Sequence, residues 1–302
     1  MNGIFTLILI ITPMFIGFAL PVADKHAIYA EKIINYLVFL LLIVIGIEIG
    51  LEKDIVSKVY DIATYLITLF SLTIGFGLVG LALFDRISPC QYQTSHAKGS
   101  TKINIHGSLL QLFCLLVGFI LALVLPSTVL PPRGTTTALL MLLLLFVGIG
   151  LKGVGIGLRA AMLNQRGLYI CVIFTASILL AGAVFSLIFD DVSLFQGLAL
   201  AAGSGWYSLS APLMTEAYGA MWGSVALLND LGREIAALIF IPWVMRYSSS
   251  AAIGLGGVTS LDFTLPILSQ SGGTRIVPLV VSYGFLINII SPILMVFFSS
   301  LG

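Results

Sequence analysis

Residues 3–22 read GIFTLILIITPMFIGFALPV, without one charged side chain. Further apolar runs follow at 33–51, 61–84, 106–126, 136–158 and 168–189. About 20 apolar residues is the length of an α-helix that crosses the hydrocarbon of a bilayer. Lipid offers no water to the backbone, so each run must satisfy its own N–H and C=O groups as a helix. That requirement fixes the class as an all-α polytopic membrane protein. Composition agrees, with 59% hydrophobic residues, 9% charged residues and a mean hydropathy of +1.13; a soluble domain carries roughly 25% charged residues. The bilayer is therefore the first expected partner, and a net charge of +1 leaves no electrostatic footprint for nucleic acid. Cys90, Cys114 and Cys171 are scattered, which points to free thiols rather than a disulfide framework. The three His residues show no metal-ligand spacing, so no metal and no cofactor are expected. Run 3–22 is a poor signal peptide, because no Lys or Arg precedes it and its length is that of a full span, with Pro13 as a kink position.

Basic residues set the orientation, since cytoplasmic connections carry their excess. With the N-terminus outside, the inner connections hold Lys25, Lys32, Arg86, Lys98, Lys102, Lys152, Arg159 and Arg166. The outer ones hold only Lys53, Lys58 and Arg133. The N-terminus is expected in the periplasm.

The chain also repeats itself. FIGFALP at 15–21 returns as LVGFILALVLP at 116–126, and FLLLIVIGIEIGL at 39–51 returns as LLMLLLLFVGIGL at 139–151. Each unit, 1–85 and 106–190, closes on Phe-Asp. Three spans per unit force opposite orientations, the inverted-topology repeat of secondary transporters. Residues 1–190 are read as two inverted three-helix units with a scaffold role, and 191–302 as a substrate-binding region.

Within that last region, GSGWYSLSAPLMTEAYG at 203–219 resembles GGVTSLDFTLPILSQSGG at 256–273, and a long apolar helix follows each, at 220–245 and 276–300. Gly, Ser and Pro at this density interrupt a helix. Irregular backbone at membrane depth is tolerated only under protein cover or along a cavity. Both are read as re-entrant helical hairpins, with tips near 204–211 and 257–265. The count is then eight spans and two hairpins with both termini outside. The alternative is that 194–214 and 250–270 are ordinary spans, making ten helices.

Polar residues inside the apolar helix 220–245 carry the functional argument. Asn229, Asp230, Arg233 and Glu234 spread over about 140° of helix and form one polar face. A central charge costs ~2.5–3.5 kcal/mol on insertion scales, so this face must look inward. One reading is a self-satisfied cluster with Arg233 bridging Asp230. The other notes that two carboxylates against one guanidinium leave a surplus negative charge for a proton or a cationic substrate. The hairpin tips bring helix N-termini suited to a carboxylate, with hydroxyls from Ser204, Ser208, Ser210, Thr259 and Ser260. Asp262 adds a negative charge or caps its own helix, and Trp206 is a candidate wall. Glu48 lies near the end of the second span, where it handles protons or meets water; Glu216 reads as interfacial. Such a site suits an amphoteric substrate with extra positive charge, a basic amino acid.

GWYSLSAPLMTEAYG, NDLGREIAALIFIPW and GGVTSLDFTLPIL closely resemble the LysO family of bacterial lysine exporters, most specifically over 195–300. The resemblance implies an inner-membrane exporter of L-lysine and thialysine, with eight spans and both termini outside. It also implies an important pair of intramembrane acidic residues, matched here to Glu234 and, on the second span, to Glu48. The order of elements is similar to the glutamate-transporter elevator layout as well.

Lysine carries a net positive charge, so uncoupled export against an inside-negative potential costs ~2.3 kcal/mol per 100 mV. Protons are the expected coupling ion, with Glu234 and Asp230 binding lysine's ammonium groups or protons in turn. A sodium-coupled carrier of a small amphoteric or carboxylate solute is the alternative, and a homodimer is one assembly open to the chain. No Ser/His, paired-Asp or HExxH arrangement points to an enzyme.

Overall fold

Among the described residues, the apolar runs that the sequence marks out are helical. The structure, a computed structural model, describes residues 12–20, 24–51, 59–89, 106–126, 129–132, 134–153, 164–261, 263–273 and 276–302. The first helix, α1, covers 12–19. It is followed by α2 (Asp24–Leu51), α3 (Val59–Ile87), α4 (His106–Val124), α5 (Thr135–Gly153) and α6 (Gln165–Ile188). The C-terminal region holds α7 (Leu194–Ala201), α8 (Tyr207–Tyr218), α9 (Ala220–Val244), α10 (Ser249–Gly256), α11 (Leu265–Gly272) and α12 (Val277–Ser299). A 3-10 turn at Gly257–Leu261 follows α10.

Among the described residues, four helices are long and apolar enough to cross a membrane: Lys32–Leu51, Val59–Ile87, Gln165–Ile188 and Val277–Ser299. The 25-residue α9 matches them in length but carries Asp230, Arg233 and Glu234. Large apolar side chains point outward along α3 (Ile67, Val79, Leu83) and α4 (Phe113, Leu116, Ile120), a surface whose natural solvent is hydrocarbon. The expected boundaries hold to a few residues, with one exception. DKHAIYAEK reads as a break, yet α2 is helical from Asp24; a run of mixed polarity can continue a helix past its apolar stretch.

Two matched crossings hold α1, α2, α4 and α5 together. Gly17 lies against the carbonyl of Leu145 and Gly148 against that of Met14, so α1 and α5 touch backbone to backbone. Gly118 lies against the carbonyl of Ile43, and Gly46 against that of Leu115, which brings α4 onto α2 in the same way. One sequence offset relates Gly17 to Gly118 and Met14 to Leu115. A nearly equal one relates Gly46 to Gly148 and Ile43 to Leu145. Glycine at these four positions permits an approach that any Cβ would block.

Helices α3 and α6 keep different company. They pack on each other and on α9, α10 and α12. Among the described residues, they thus pack with the C-terminal helices. At one end, the Tyr65 hydroxyl donates to Asp191 at 2.5 Å, and its ring meets Phe189 and Trp222 with centroids 4.7 Å away. At the other end, Asp85 of α3 accepts from Arg166 Nη2 (2.6 Å), Ser248 Oγ (2.6 Å), Ser250 N (2.9 Å) and Ser250 Oγ (2.5 Å). Asp85 thus ties α3 and α6 to the N-terminus of α10, where a carboxylate is favoured.

These two ends also locate the interrupted segments. Ser193, Phe195 and Tyr218 converge on Gly302, so α7 begins where α8 finishes. Gly272 lies against Met245 and Ile276, which returns α11 to the end from which α10 started. Asp85→Ala leaves Arg166 with carbonyl partners at Ser88 and Pro89 but no anion, frees two hydroxyls, and is expected to cost about 2–3 kcal/mol. Thermal unfolding in detergent checks this; an unchanged melting temperature would rule out the clasp.

Candidate functional site

An interrupted helix leaves backbone groups without their i→i−4 partners, and in apolar surroundings each must find another. The first interruption spans 202–206 between α7 and α8, with Ser204 at φ 54° and Gly205 at φ 93°. The second runs from Gly257, at φ 55°, through the 3-10 turn to Thr264. They meet directly. Val258 N–H donates to the Ser204 carbonyl at 3.1 Å, and Gly257 sits so close to that carbonyl that a Cβ would collide with it.

The long helices supply the remaining partners. From α9, Asp230 accepts from Gly205 N (3.1 Å), Ser210 Oγ (2.6 Å) and Asn229 Nδ2 (3.1 Å). From α12, Asn288 Nδ2 donates to the carbonyls of Val258 and Gly284, both at 2.8 Å. Ser291 Oγ donates to the carbonyls of Ala202 (2.6 Å) and Gly203 (3.3 Å). The carboxylate therefore faces the amide end of the first break while neutral donors face its carbonyl end, matching the dipoles of the two half-helices.

Most of the anticipated hydroxyls are engaged locally. Ser204 donates to Ala202 O at 3.1 Å, Thr259 to Gly256 O at 2.8 Å, and Ser260 to Ile253 O at 3.2 Å. Ser208 is buried in the first turn of α8, and Trp206 is buried immediately before it. The tip expected at 204–211 is shorter, because α8 is already helical at Tyr207. Asp262 lies outside the described residues.

All four residues of the α9 face are buried, each at 3% exposure or less. They do not form the bridge that their spacing allows. Arg233 and Asp230 make no ion pair: Asp230 turns toward the first break, and the Arg233 guanidinium lies 5.6 Å from the centre of the Phe174 ring on α6. Glu48 sits elsewhere, with its Oε1 accepting from Thr136 Oγ1 at 2.5 Å, while the neighbouring Thr137 donates to Glu216 at 2.7 Å. Glu234 is fourteen positions into α9, or ~21 Å along its axis from the end that Glu216 precedes. Glu48 and Glu234 are thus at different depths.

Sequence reasoning missed Asn288, Ser291 and Phe174. Asn288 carried a signal, being an amide in an otherwise apolar helix, as Asn229 is. A Cβ at Gly203 would press on the Asp230 carboxylate. Gly203→Ala and Asp230→Ala are each expected to lower stability by about 1–3 kcal/mol, with Asp230→Asn milder. Unfolding midpoints in which Asp230→Ala equals the wild type would exclude the capping role.

A family model described as lysine exporter LysO matches residues 112–299. The chain is 32% identical over 296 residues to "Lysine exporter LysO" of Escherichia coli (strain K12), covering 97% of this chain and 99% of that protein. It is 46% identical over 169 residues to a Haemophilus influenzae protein named "Putative lysine exporter", covering 56% of this chain and 86% of that protein. No solved structure matches.

Proposed function

The chain belongs to the lysine exporter LysO family, and on that footing we propose that it exports L-lysine across a bacterial inner membrane in exchange for protons. The observation that carries this reading is the buried charged face of α9 set against two interrupted helices. An apolar helix keeps three charges only where they face protein or a pathway. Asp230 also holds the first break through three hydrogen bonds, and we assign the exchange to Glu234 on the same buried face, with Asp230 beside it. A proton and a lysine ammonium neutralise it equally well and exclude one another. Thialysine keeps both ammonium groups and the carboxylate, and follows the same route.

The topology that goes with this has both termini outside and two re-entrant hairpins, α7–α8 from the outside and α10–α11 from the inside. The convergence of Ser193, Phe195 and Tyr218 on Gly302, and of Gly272 on Met245, supports it. The matched glycine crossings support an inverted repeat. The moving body then comprises α3, α6 and α7–α12, sliding against α1, α2, α4 and α5 in an elevator-like displacement. Phe285 of α12 meets the first group through Phe18, with ring centroids 6.1 Å apart, and through Val147.

Proteoliposomes loaded with labelled lysine test the coupling. An imposed pH gradient is expected to drive efflux in the wild type and not in Glu234→Gln. Efflux that follows a sodium gradient instead would replace the proton with sodium, and unchanged efflux in Glu234→Gln would remove that carboxylate from the mechanism. Cysteines at 18 and 285, bridged by mercury, are expected to halt transport; full activity after bridging would rule out sliding at that contact.

A further inference from the structure

Two buried donors pack on the Phe174 ring. The Arg233 guanidinium lies 5.6 Å from its centroid, and the Tyr283 ring of α12 lies 5.8 Å from it at 85°. Arg233 is 2% exposed and Tyr283 0%. Among the described residues, Arg233 Nε, Arg233 Nη1 and the Tyr283 hydroxyl have no hydrogen-bond partner. Buried polar groups in native proteins are nearly always partnered, and Asp230 acts on Arg233 only through its charge, without a hydrogen bond to Nε or Nη1. The acidic residue that spacing offers to Arg233 is already turned to the first break. Beside the guanidinium, Thr73 and Gly77 of α3 and Leu255 of α10 line a narrow crevice that is closed to water in this conformation.

We propose that Arg233 and Tyr283, both packed on Phe174, form the subsite for a substrate carboxylate. The inference rests on the lysine-export reading and adds to it where the carboxylate end of the amino acid binds. Both side chains only need to donate, and a carboxylate accepts at two oxygens with about four lone-pair directions. Phe174 supplies the flat apolar floor on which a guanidinium is held in place. Glu234 is the next residue along α9, so a molecule with its carboxylate on Arg233 brings an ammonium group within reach of Glu234. The subsite draws on α3, α6 and α12 as well as α9, which places it inside the second helix group.

Competition against labelled lysine transport tests this in the unmodified protein. Cadaverine is lysine without its carboxylate, and 6-aminohexanoate keeps the carboxylate and the terminal ammonium. Cadaverine is expected to compete at least about tenfold less well than lysine, the order of a lost charge-assisted hydrogen bond, and 6-aminohexanoate better than cadaverine. Arg233→Met keeps the length of the side chain and removes a buried charge, a change that is often neutral for folding. It is expected to weaken lysine about tenfold or more and leave cadaverine unchanged, with Tyr283→Phe shifting lysine in the same direction by less. Lysine transport inhibited equally by lysine and cadaverine would overturn the subsite while leaving the export reading intact. A wild-type protein that moves no lysine would overturn both.

Discussion

Everything in the C-terminal half depends on the contact of two interrupted helices, marked by the hydrogen bond from Val258 N to the Ser204 carbonyl. In water, opening a helix costs little, because solvent takes up the freed groups. In an apolar interior each freed N–H or C=O must be answered by protein. The two breaks answer one another in part, and the long helices do the rest. Asp230 reaches from α9, and Asn288 and Ser291 reach from α12. The polar residues of these helices are therefore not spread at random. They sit at the level where the backbone is broken.

That arrangement separates two kinds of buried charge. Asp230 is satisfied by its surroundings and serves to hold the first break in shape. Arg233, three positions on, lies against the Phe174 ring of α6 and beside Thr73 and Gly77 of α3. One polar stripe thus holds a charge that is fully hydrogen-bonded and another whose Nε and Nη1 are not.

The apolar spans were legible because twenty hydrophobic residues in succession permit one structure in lipid, and their ends fell close to expectation. The α9 face was legible for the converse reason, since its charges are out of place unless covered. Partnership was not legible. Arg233 and Asp230 are spaced to pair, but side chains three apart can diverge when another group competes for one of them, and here Gly205 and Ser210 do. The allegiance of α3 and α6 was hidden too, because helices apolar on all sides give no periodic sign of which face meets protein. Asn288 escaped notice for want of a charge, although a lone amide in hydrocarbon asks the same question as an acid.

The grouping of helices carries a consequence for the chain as a set of leashes. Just three connections pass from one group to the other: 52–58, 88–105 and 154–164. The shortest joins Leu51 to Val59, and at ~3.3–3.6 Å per residue that stretch reaches at most about 29 Å when drawn straight. However loosely the two groups are packed, the gap between the end of α2 and the start of α3 can never exceed that reach. Deleting residues from this link would tighten that limit without touching a single side chain of the site.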